Sequence, residues 1–505
     1  MYLHNQKTGN DTVEFGESPG NIDYRYDDTK ESPPKPNFIG WSGANFLENA
    51  SRGSVDHFMP IFARLLGANS TQIGLMTGLF SLVSIFQLFW TNISLKLQKS
   101  RFFVLLGWLV TFCLFIPISV IRVGQFIYLL IIRTIQGFFY SASVSTQASL
   151  LAEHIPQKER ANKVGTITWL GLGGAFCGTL FSGFIVSVLS EILLIDLKVT
   201  FALLFIWTCI LGLLASLIFY LSVPDYKPLN KKDSPLTIHQ EIIHPETHSN
   251  LTIWQKISRY YAKFGNFWRF CLFSGVFYFG VNLAAPFFVI LKIEVYHISF
   301  FAASVFTSIS TISQVILGLL LIHFGLLDKI GRKKPLILGA FIVSLGTMGV
   351  TIPYYLGVSV YEWGFFTWIL MGMGWGIFNA SLAVFLLDIV HPQYRMPLIA
   401  SYNTINGVAM FIGPVLGGLI IQTANEIPIV FLLRGIIILF CLFLLMRVQE
   451  PEIPGVLFHP IKYFFIKYFR LGYDRGAEII IPPIKVKKIN LQKWLSKFRK
   501  HPNSR

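Results

Sequence analysis

The chain has 505 residues, of which 53% are hydrophobic and only 13% are charged. Soluble globular proteins carry roughly 25% charged residues, so a chain this apolar indicates a membrane protein and excludes an ordinary soluble domain. The formal charge of +16 does not indicate nucleic-acid binding, because the basic residues form short clusters between apolar runs and in the tail rather than one basic face.

The first 37 residues are polar and contain no apolar core, which predicts a disordered leader (1–37) rather than a cleavable signal peptide. Apolar runs follow that are long enough to cross a bilayer, which takes about 20 residues. We number them span one to span twelve: 39–63, 72–95, 102–121, 125–151, 164–188, 199–222, 267–291, 300–326, 335–356, 363–387, 397–423 and 428–447. The predicted fold is therefore an all-α integral membrane protein with twelve transmembrane helices.

Basic residues mark every second connection between the spans. The marked connections contain Lys96, Lys99, Arg101, Lys158, Arg160, Lys163, Lys329, Arg332, Lys333, Lys334 and Arg395. The alternate connections offer little beyond Arg64, Arg122, Lys198 and Lys292. The positive-inside rule places the first set and both termini in the cytoplasm, so we expect a multi-pass protein of the cell membrane.

A long polar segment, 223–265, divides the chain into two six-span halves, 38–222 and 266–447. The end of this linker alternates apolar and basic residues at helical spacing, which predicts an amphipathic helix lying on the inner leaflet. The tail, 448–505, is basic with interleaved aromatic residues, and we expect it to bind anionic membrane lipids.

The two halves repeat each other. Gly174 and Gly178 in span five lie 235 positions before Ala409 and Gly413 in span eleven, where Pro414 follows. Matched halves of this kind are typical of secondary transporters, whose substrate lies between the repeats. Glycine permits close helix approach and proline permits bending, so we predict that Gly174, Gly178, Gly413 and Pro414 act in gating, with plain close packing as the alternative.

These features resemble the major facilitator superfamily over about residues 38–447. The sequence DKIGRKK, from Asp328 to Lys334, is similar to the superfamily's Asp-x-x-Gly-Arg-Lys loop. RTIQG, from Arg133 to Gly137, is similar to the Arg-x-x-Gln-Gly signature of drug/proton antiporters, and the glycine pattern resembles their span-five motif. The resemblance implies alternating access by two pseudo-symmetric halves. It also implies that Asp328, Gly331 and Arg332 act in gating at the cytoplasmic helix ends. A basic loop that only sets the orientation in the membrane is the alternative.

Span one carries a polar stripe. At 100° per residue, Asn45, Asn49, Arg52 and Asp56 fall within about 60° of arc, with Glu48 at the edge. Each charge at the bilayer centre costs roughly 3 kcal/mol, so these groups must face a cavity or one another. Glu48 and Asp56 can each pair with Arg52 one turn away. We predict substrate binding or proton coupling here, and a buried ion-pair network that only joins helices is the alternative.

Other spans supply further candidates for this site. In span four we predict that Arg133 and Gln136 join it, whereas His57 lies off the stripe and is predicted not to. The candidates of the second half are neutral, and each of them could instead serve helix packing. They are Asn282, Asn379, Tyr402, Asn403 and Asn406. Asn282 precedes Pro286 by four residues as Asp56 precedes Pro60, so the repeat places an amide opposite a carboxylate.

No sequence pattern of ATP hydrolysis or of a zinc or serine hydrolase is present, so we expect no enzyme activity. The five cysteines stand singly, and we predict no metal and no cofactor. The predicted function is proton-coupled efflux of a small amphipathic solute by a monomeric secondary transporter. An importer or facilitator of a sugar or organic acid is the alternative. A receptor that keeps a transporter fold without transporting is the second alternative.

Overall fold

The computed structural model describes residues 36–97, 99–154, 157–224, 264–323, 331–390 and 395–450. Nearly all of the predicted leader, linker and basic tail lie outside these residues, and so does Asp328. Throughout the described residues the regular structure is helical, with short 3-10 and π turns and no strand. The predicted all-α fold is confirmed.

The helices of the first half follow the predicted spans. Span one comprises Phe38–Asp56 and Met59–Leu65, span two Ser70–Leu82, Val83–Phe86 and Gln87–Leu97, and span three Ser100–Cys113 and Phe115–Ser119. Span four is Phe126–His154, span five is Gln157–Ser187, and span six is Leu197–Ser222.

The second half repeats this arrangement. Span seven comprises Gly265–Ala284, Ala285–Phe287, Phe288–Ile290 and the π turn Leu291–Val295. Span eight is Phe300–His323, span nine Lys333–Gly349 and Ile352–Leu356, span ten Val360–Ile389, span eleven Arg395–Ala424 and span twelve Pro428–Met446.

Eleven helices in the described part of the chain are long and apolar enough to cross a membrane. Span one is the exception, because Glu48, Arg52 and Asp56 lie within its 19-residue first segment. Span one packs on spans five and six within the bundle. The protein is thus a multi-pass membrane protein of twelve helices in two six-helix halves.

Spans one and seven break at corresponding places. Span one breaks at His57 and Phe58, just before Pro60, and span seven has a 3-10 turn that contains Pro286. Proline lacks a backbone N–H and clashes with the preceding turn, which explains both breaks. In contrast, span eleven continues as one helix through Pro414.

We call one end of the bundle distal; it contains the connections 66–69, 193–196 and 296–299. The opposite end, where span one begins and span twelve ends, is called proximal. The halves meet where span two packs on span eleven and span five on span eight. Within span two, the segment Ser70–Leu82 packs on span eleven, whereas the segment Gln87–Leu97 packs on spans three and four. A Cβ at Gly74 would lie 2.0 Å from the carbonyl oxygen of Pro414, so the halves approach closely at the distal end.

Polar contacts also join the halves at the distal end. Arg64, in the last turn of span one, forms an ion pair with Glu294: Nε lies 3.1 Å from Oε1 and Nη2 lies 3.3 Å from Oε2. Further contacts run from the Thr71 hydroxyl to Oε1 of Gln422 (2.6 Å) and from the Phe300 N–H to Oε1 of Glu191 (3.1 Å).

The repeated glycines fix helix pairs within each half. A Cβ at Gly174 or Gly178 would lie 2.0 Å from a carbonyl oxygen of span one, that of Phe46 or Ala50. A Cβ at Gly413 would lie 2.7 Å from the Phe279 oxygen of span seven. Span five is therefore tied to span one as span eleven is tied to span seven.

Candidate transport site

Two arginines bind the carboxylate of Asp56, the last residue of the first segment of span one. Arg52, one turn earlier, places Nη2 at 3.2 Å and Nε at 3.3 Å from Oδ2. Arg133 of span four places Nη2 at 3.1 Å from Oδ1. The Asp56 side chain is 33% exposed and that of Arg133 is 9% exposed. The carboxylate is thus held by two helices and remains accessible on one side.

Glu48 lies deeper on the same face of span one. It is 3% exposed, and its Oε1 lies 3.9 Å from Nη1 of Arg52 without a hydrogen-bond partner among the described residues. Arg52 also donates to the hydroxyl of Tyr140, and its guanidinium lies 4.2 Å from the centre of that ring. Glu48 and Asp56 therefore share Arg52 but differ in access to solvent.

A second layer holds Arg133 in place. Its Nη1 donates to Oε1 of Gln136 (3.0 Å), whose Nε2 donates in turn to the Thr111 carbonyl of span three (2.9 Å). The guanidinium also lies 4.6 Å from the centre of the Phe80 ring. Gln136 is fully buried, so it orients Arg133 toward Asp56 and is itself shielded from solvent.

Asn45 and Asn49, the two amide residues of the polar stripe, form side-chain hydrogen bonds within span one and to span four. Oδ1 of Asn45 accepts from Nε2 of Gln147 at 2.7 Å, and Nδ2 of Asn49 donates to the Asn45 carbonyl at 2.9 Å. Asn45 is buried and Asn49 is half-buried. These amides extend the polar face of span one toward the proximal end.

Sequence reasoning missed Tyr140, Gln147, Thr111 and Phe80. Tyr140 lies seven residues after Arg133, two helical turns along the same face, and Gln147 lies seven residues further on. This spacing could have identified both residues once Arg133 was chosen. Thr111 and Phe80 belong to other helices, and no signal in the sequence connects them to Arg133.

Three candidates of the second half make contacts within that half. Oδ1 of Asn406 accepts from the Ser274 hydroxyl at 2.9 Å, and the ring of Tyr402 stacks on Phe270. Nδ2 of Asn282 donates to the carbonyl of Tyr278 on its own helix at 2.8 Å. Asn379 is half-buried and Asn403 is exposed.

Lys292 and His57 lie where the halves touch. Lys292 was predicted to occupy a distal connection, and this is wrong: it lies in the π turn that ends span seven and is buried. Its Nζ donates to the hydroxyl of Thr307, which lies 3.4 Å from Nε2 of His57 across the interface. The break in span one turns His57 toward span eight, although it is off the polar stripe.

The connection between spans eight and nine ends in an ion pair at the proximal end. Arg332 binds the carboxylate of Asp388 at the end of span ten. Glu450 accepts from the backbone N–H groups of Arg332 and Lys333, at 2.6 and 3.2 Å. Gly331 has a φ of +85°, which a side chain would disfavour. The loop therefore ties spans nine, ten and twelve together, while Asp328 lies outside the described residues.

The described residues contain no group of three or more His, Cys, Asp or Glu that could hold a metal ion.

The chain matches the family model of the Major Facilitator Superfamily over residues 42–325 and 271–462. The chain belongs to the major facilitator superfamily. The resemblance of its loop and helix signatures to this superfamily is thereby confirmed.

Solved superfamily transporters share the fold. The nucleoside transporter NupG superposes with a TM-score of 0.61 at 15% identity, covering 82% of this chain and 99% of that one. A bacterial homologue of the human lysosomal transporter Spinster, in an inward-facing and occupied conformation, gives 0.61 at 16% identity, covering 83% and 98%. At these identities the likeness establishes the fold alone.

One sequence relative is the multi-drug resistance efflux pump PmrA of Streptococcus pneumoniae, 28% identical over 159 residues. The match spans 30% of this superfamily member and 38% of the pump. It therefore covers well under half of either protein.

Proposed function

We propose that this protein is a secondary transporter that moves a small solute by alternating access, opening one end of the bundle at a time. The support is the arrangement of the halves, which meet at the distal end through close glycine contacts and polar ties such as Arg64–Glu294. A state open at that end must release these contacts. Because basic clusters lie at the proximal connections, we also propose that this end and both termini are cytoplasmic.

We propose further that Asp56 carries a coupling proton. The observation that supports this is its position between Arg52 and Arg133, with one side of the carboxylate accessible. A proton on Asp56 would neutralise the acceptor that the two arginines share and loosen spans one and four from each other. Such a group couples transport if its proton affinity differs between the two access states. Glu48, beside Arg52, is the second acid of the same network.

Efflux of an amphipathic compound is the direction we propose. Its support is the RTIQG sequence of span four, whose Arg133 contacts Asp56, together with the partial likeness to the PmrA efflux pump. The aromatic rings of Phe80 and Tyr140 beside the charged groups suit a solute with an apolar body.

The test compares two fluxes in the same proteoliposomes: uptake driven by a pH gradient, and counterflow exchange of the solute without a gradient. Asp56→Asn should abolish gradient-driven uptake and preserve counterflow, because exchange needs no net proton movement. Glu48→Gln should act in the same direction. Glu362→Gln, which alters an exposed carboxylate at the distal end of span ten, is the matched control and should retain both fluxes.

Full gradient-driven uptake in the Asp56→Asn, Glu48→Gln double variant would overturn the proposal that these carboxylates carry the coupling proton. Absence of gradient-driven uptake in the wild type, with counterflow intact, would indicate a facilitator. Binding of the solute without counterflow in the wild type would instead indicate a receptor. If the proposal is right, the wild-type protein shows both gradient-driven uptake and counterflow.

A further inference from the structure

Span seven ends in a buried cation, Lys292, which is 1% exposed. Its Nζ donates to the Ala303 carbonyl (2.8 Å) and the Thr307 hydroxyl (2.6 Å), and lies 4.5 Å from the centre of the Trp368 ring. These partners satisfy two of its three N–H groups, yet all of them are uncharged. Within the described residues no carboxylate lies within 4.0 Å of this ammonium group.

A second buried cation, Arg434 of span twelve, lies on the same aromatic cluster. Its guanidinium is 4.9 Å from the centre of the Phe288 ring, and that ring is 5.1 Å from Trp368. Arg434 is 2% exposed, and its Nε has no hydrogen-bond partner among the described residues. Lys292 and Arg434 thus flank one cluster of rings.

The charge balance differs between the halves. In the first half, Glu48 and Asp56 face Arg52 and Arg133, so acids and bases are equal in number and in contact. The second half buries its cations without acidic partners in the described helices. A buried charge is unfavourable unless an opposite charge compensates it. Next to the interface between the halves, the described interior of the second half therefore buries two basic side chains that have no acidic partner.

We propose that the transported solute carries a negatively charged group, a carboxylate or phosphate, and that Lys292 supplies its counter-charge. The proposal rests on the transport function proposed above and names the class of its solute. The Thr307 hydroxyl that binds Lys292 lies 3.4 Å from His57 of the first half, so this ammonium group lies at the junction that opens when the halves separate distally. Trp368 and Phe288 provide an aromatic surface for the apolar body of the solute, and Arg434 adds to the positive field.

The test is a thermal-shift measurement on the full chain purified in detergent, with matched pairs of probes at the same millimolar concentration. The pairs are indole-3-acetate and indole-3-acetamide, octanoate and octanamide, and phenyl phosphate and phenol. At least one anion should raise the melting temperature by about 2 °C more than its neutral partner. This difference should vanish in Lys292→Met. It should persist in Lys198→Met, which removes a lysine at the same end of the bundle.

Two results would overturn the proposal: no difference between anion and neutral partner in any pair, or an equal difference in Lys292→Met. Lys292→Gln serves the same comparison if Lys292→Met does not survive purification. The thermal-shift measurement reports binding in detergent and the proteoliposome assay reports transport, so the two proposals can fail independently. Anion-selective binding without counterflow would refute the transport function and leave the anion site standing.

Discussion

Breaking the ion pair between Arg64 and Glu294 should open the distal end of the bundle. Both side chains are 33% exposed, so water screens the pair. The two-point contact strengthens it, and we assign it about 1 kcal/mol. Since about 1.4 kcal/mol corresponds to a tenfold change in an equilibrium, Arg64→Gln should raise the ratio of distal-open to distal-closed protein roughly fivefold.

The assay is the labelling rate of a cysteine introduced at Ser304. This side chain is fully buried, against Gly183 of the other half, so it reacts only when spans five and eight separate. A membrane-impermeant maleimide is applied from the distal side after the exposed cysteines, Cys113 and Cys177, are changed to serine. We expect labelling about five times faster in Arg64→Gln, as the population ratio requires.

Two further variants decide the interpretation. Arg122→Gln removes an exposed arginine at the same end and should leave the labelling rate unchanged. The charge swap of Arg64→Glu with Glu294→Arg should restore the wild-type rate. If Arg64→Gln is labelled at the wild-type rate, or the swap fails to restore it, the pair does not hold the distal end closed.

Two other contacts give sharp predictions. Gly178→Ala should lower the melting temperature, at a cost of about 1–3 kcal/mol, because its Cβ would lie 2.0 Å from the Ala50 oxygen. Gly43→Ala, whose Cβ meets nothing within 4 Å, should not lower it. Arg332→Gln and Asp388→Asn should slow transport to a similar extent with binding preserved, since each breaks the same proximal ion pair. Loss of solute binding in step with transport would show that this pair supports the binding site instead.

The spans and the polar stripe could be predicted because lipid imposes simple rules on them. Apolar length predicted all twelve spans, and the cost of exposing charge to lipid predicted that Glu48, Arg52 and Asp56 of span one face the interior. The contact of Arg133 with Asp56 was suggested only by a sequence signature, because helical periodicity relates residues of one helix and not of two.

The place of Lys292 could not be predicted for a physical reason. A lysine near the end of an apolar run normally extends its ammonium group to the membrane surface. Here a π turn lengthens span seven, and Thr307 and Trp368 of two other helices receive the ammonium group instead. Such partners become neighbours only through tertiary packing, which the sequence around Lys292 does not reveal.

The repeat offers a last test of what makes Asp56 special. Asn282 occupies the related position, four residues before the proline that breaks span seven, but its amide donates to the Tyr278 carbonyl and not to an acid or an arginine-bound group. Adding Asn282→Asp to Asp56→Asn restores a carboxylate without the arginine pair. If coupling depends on the contact of the carboxylate with Arg52 and Arg133, the double variant should exchange solute but show no pH-driven uptake. Recovered pH-driven uptake would mean that any carboxylate between the halves suffices, and that the two arginines serve packing alone.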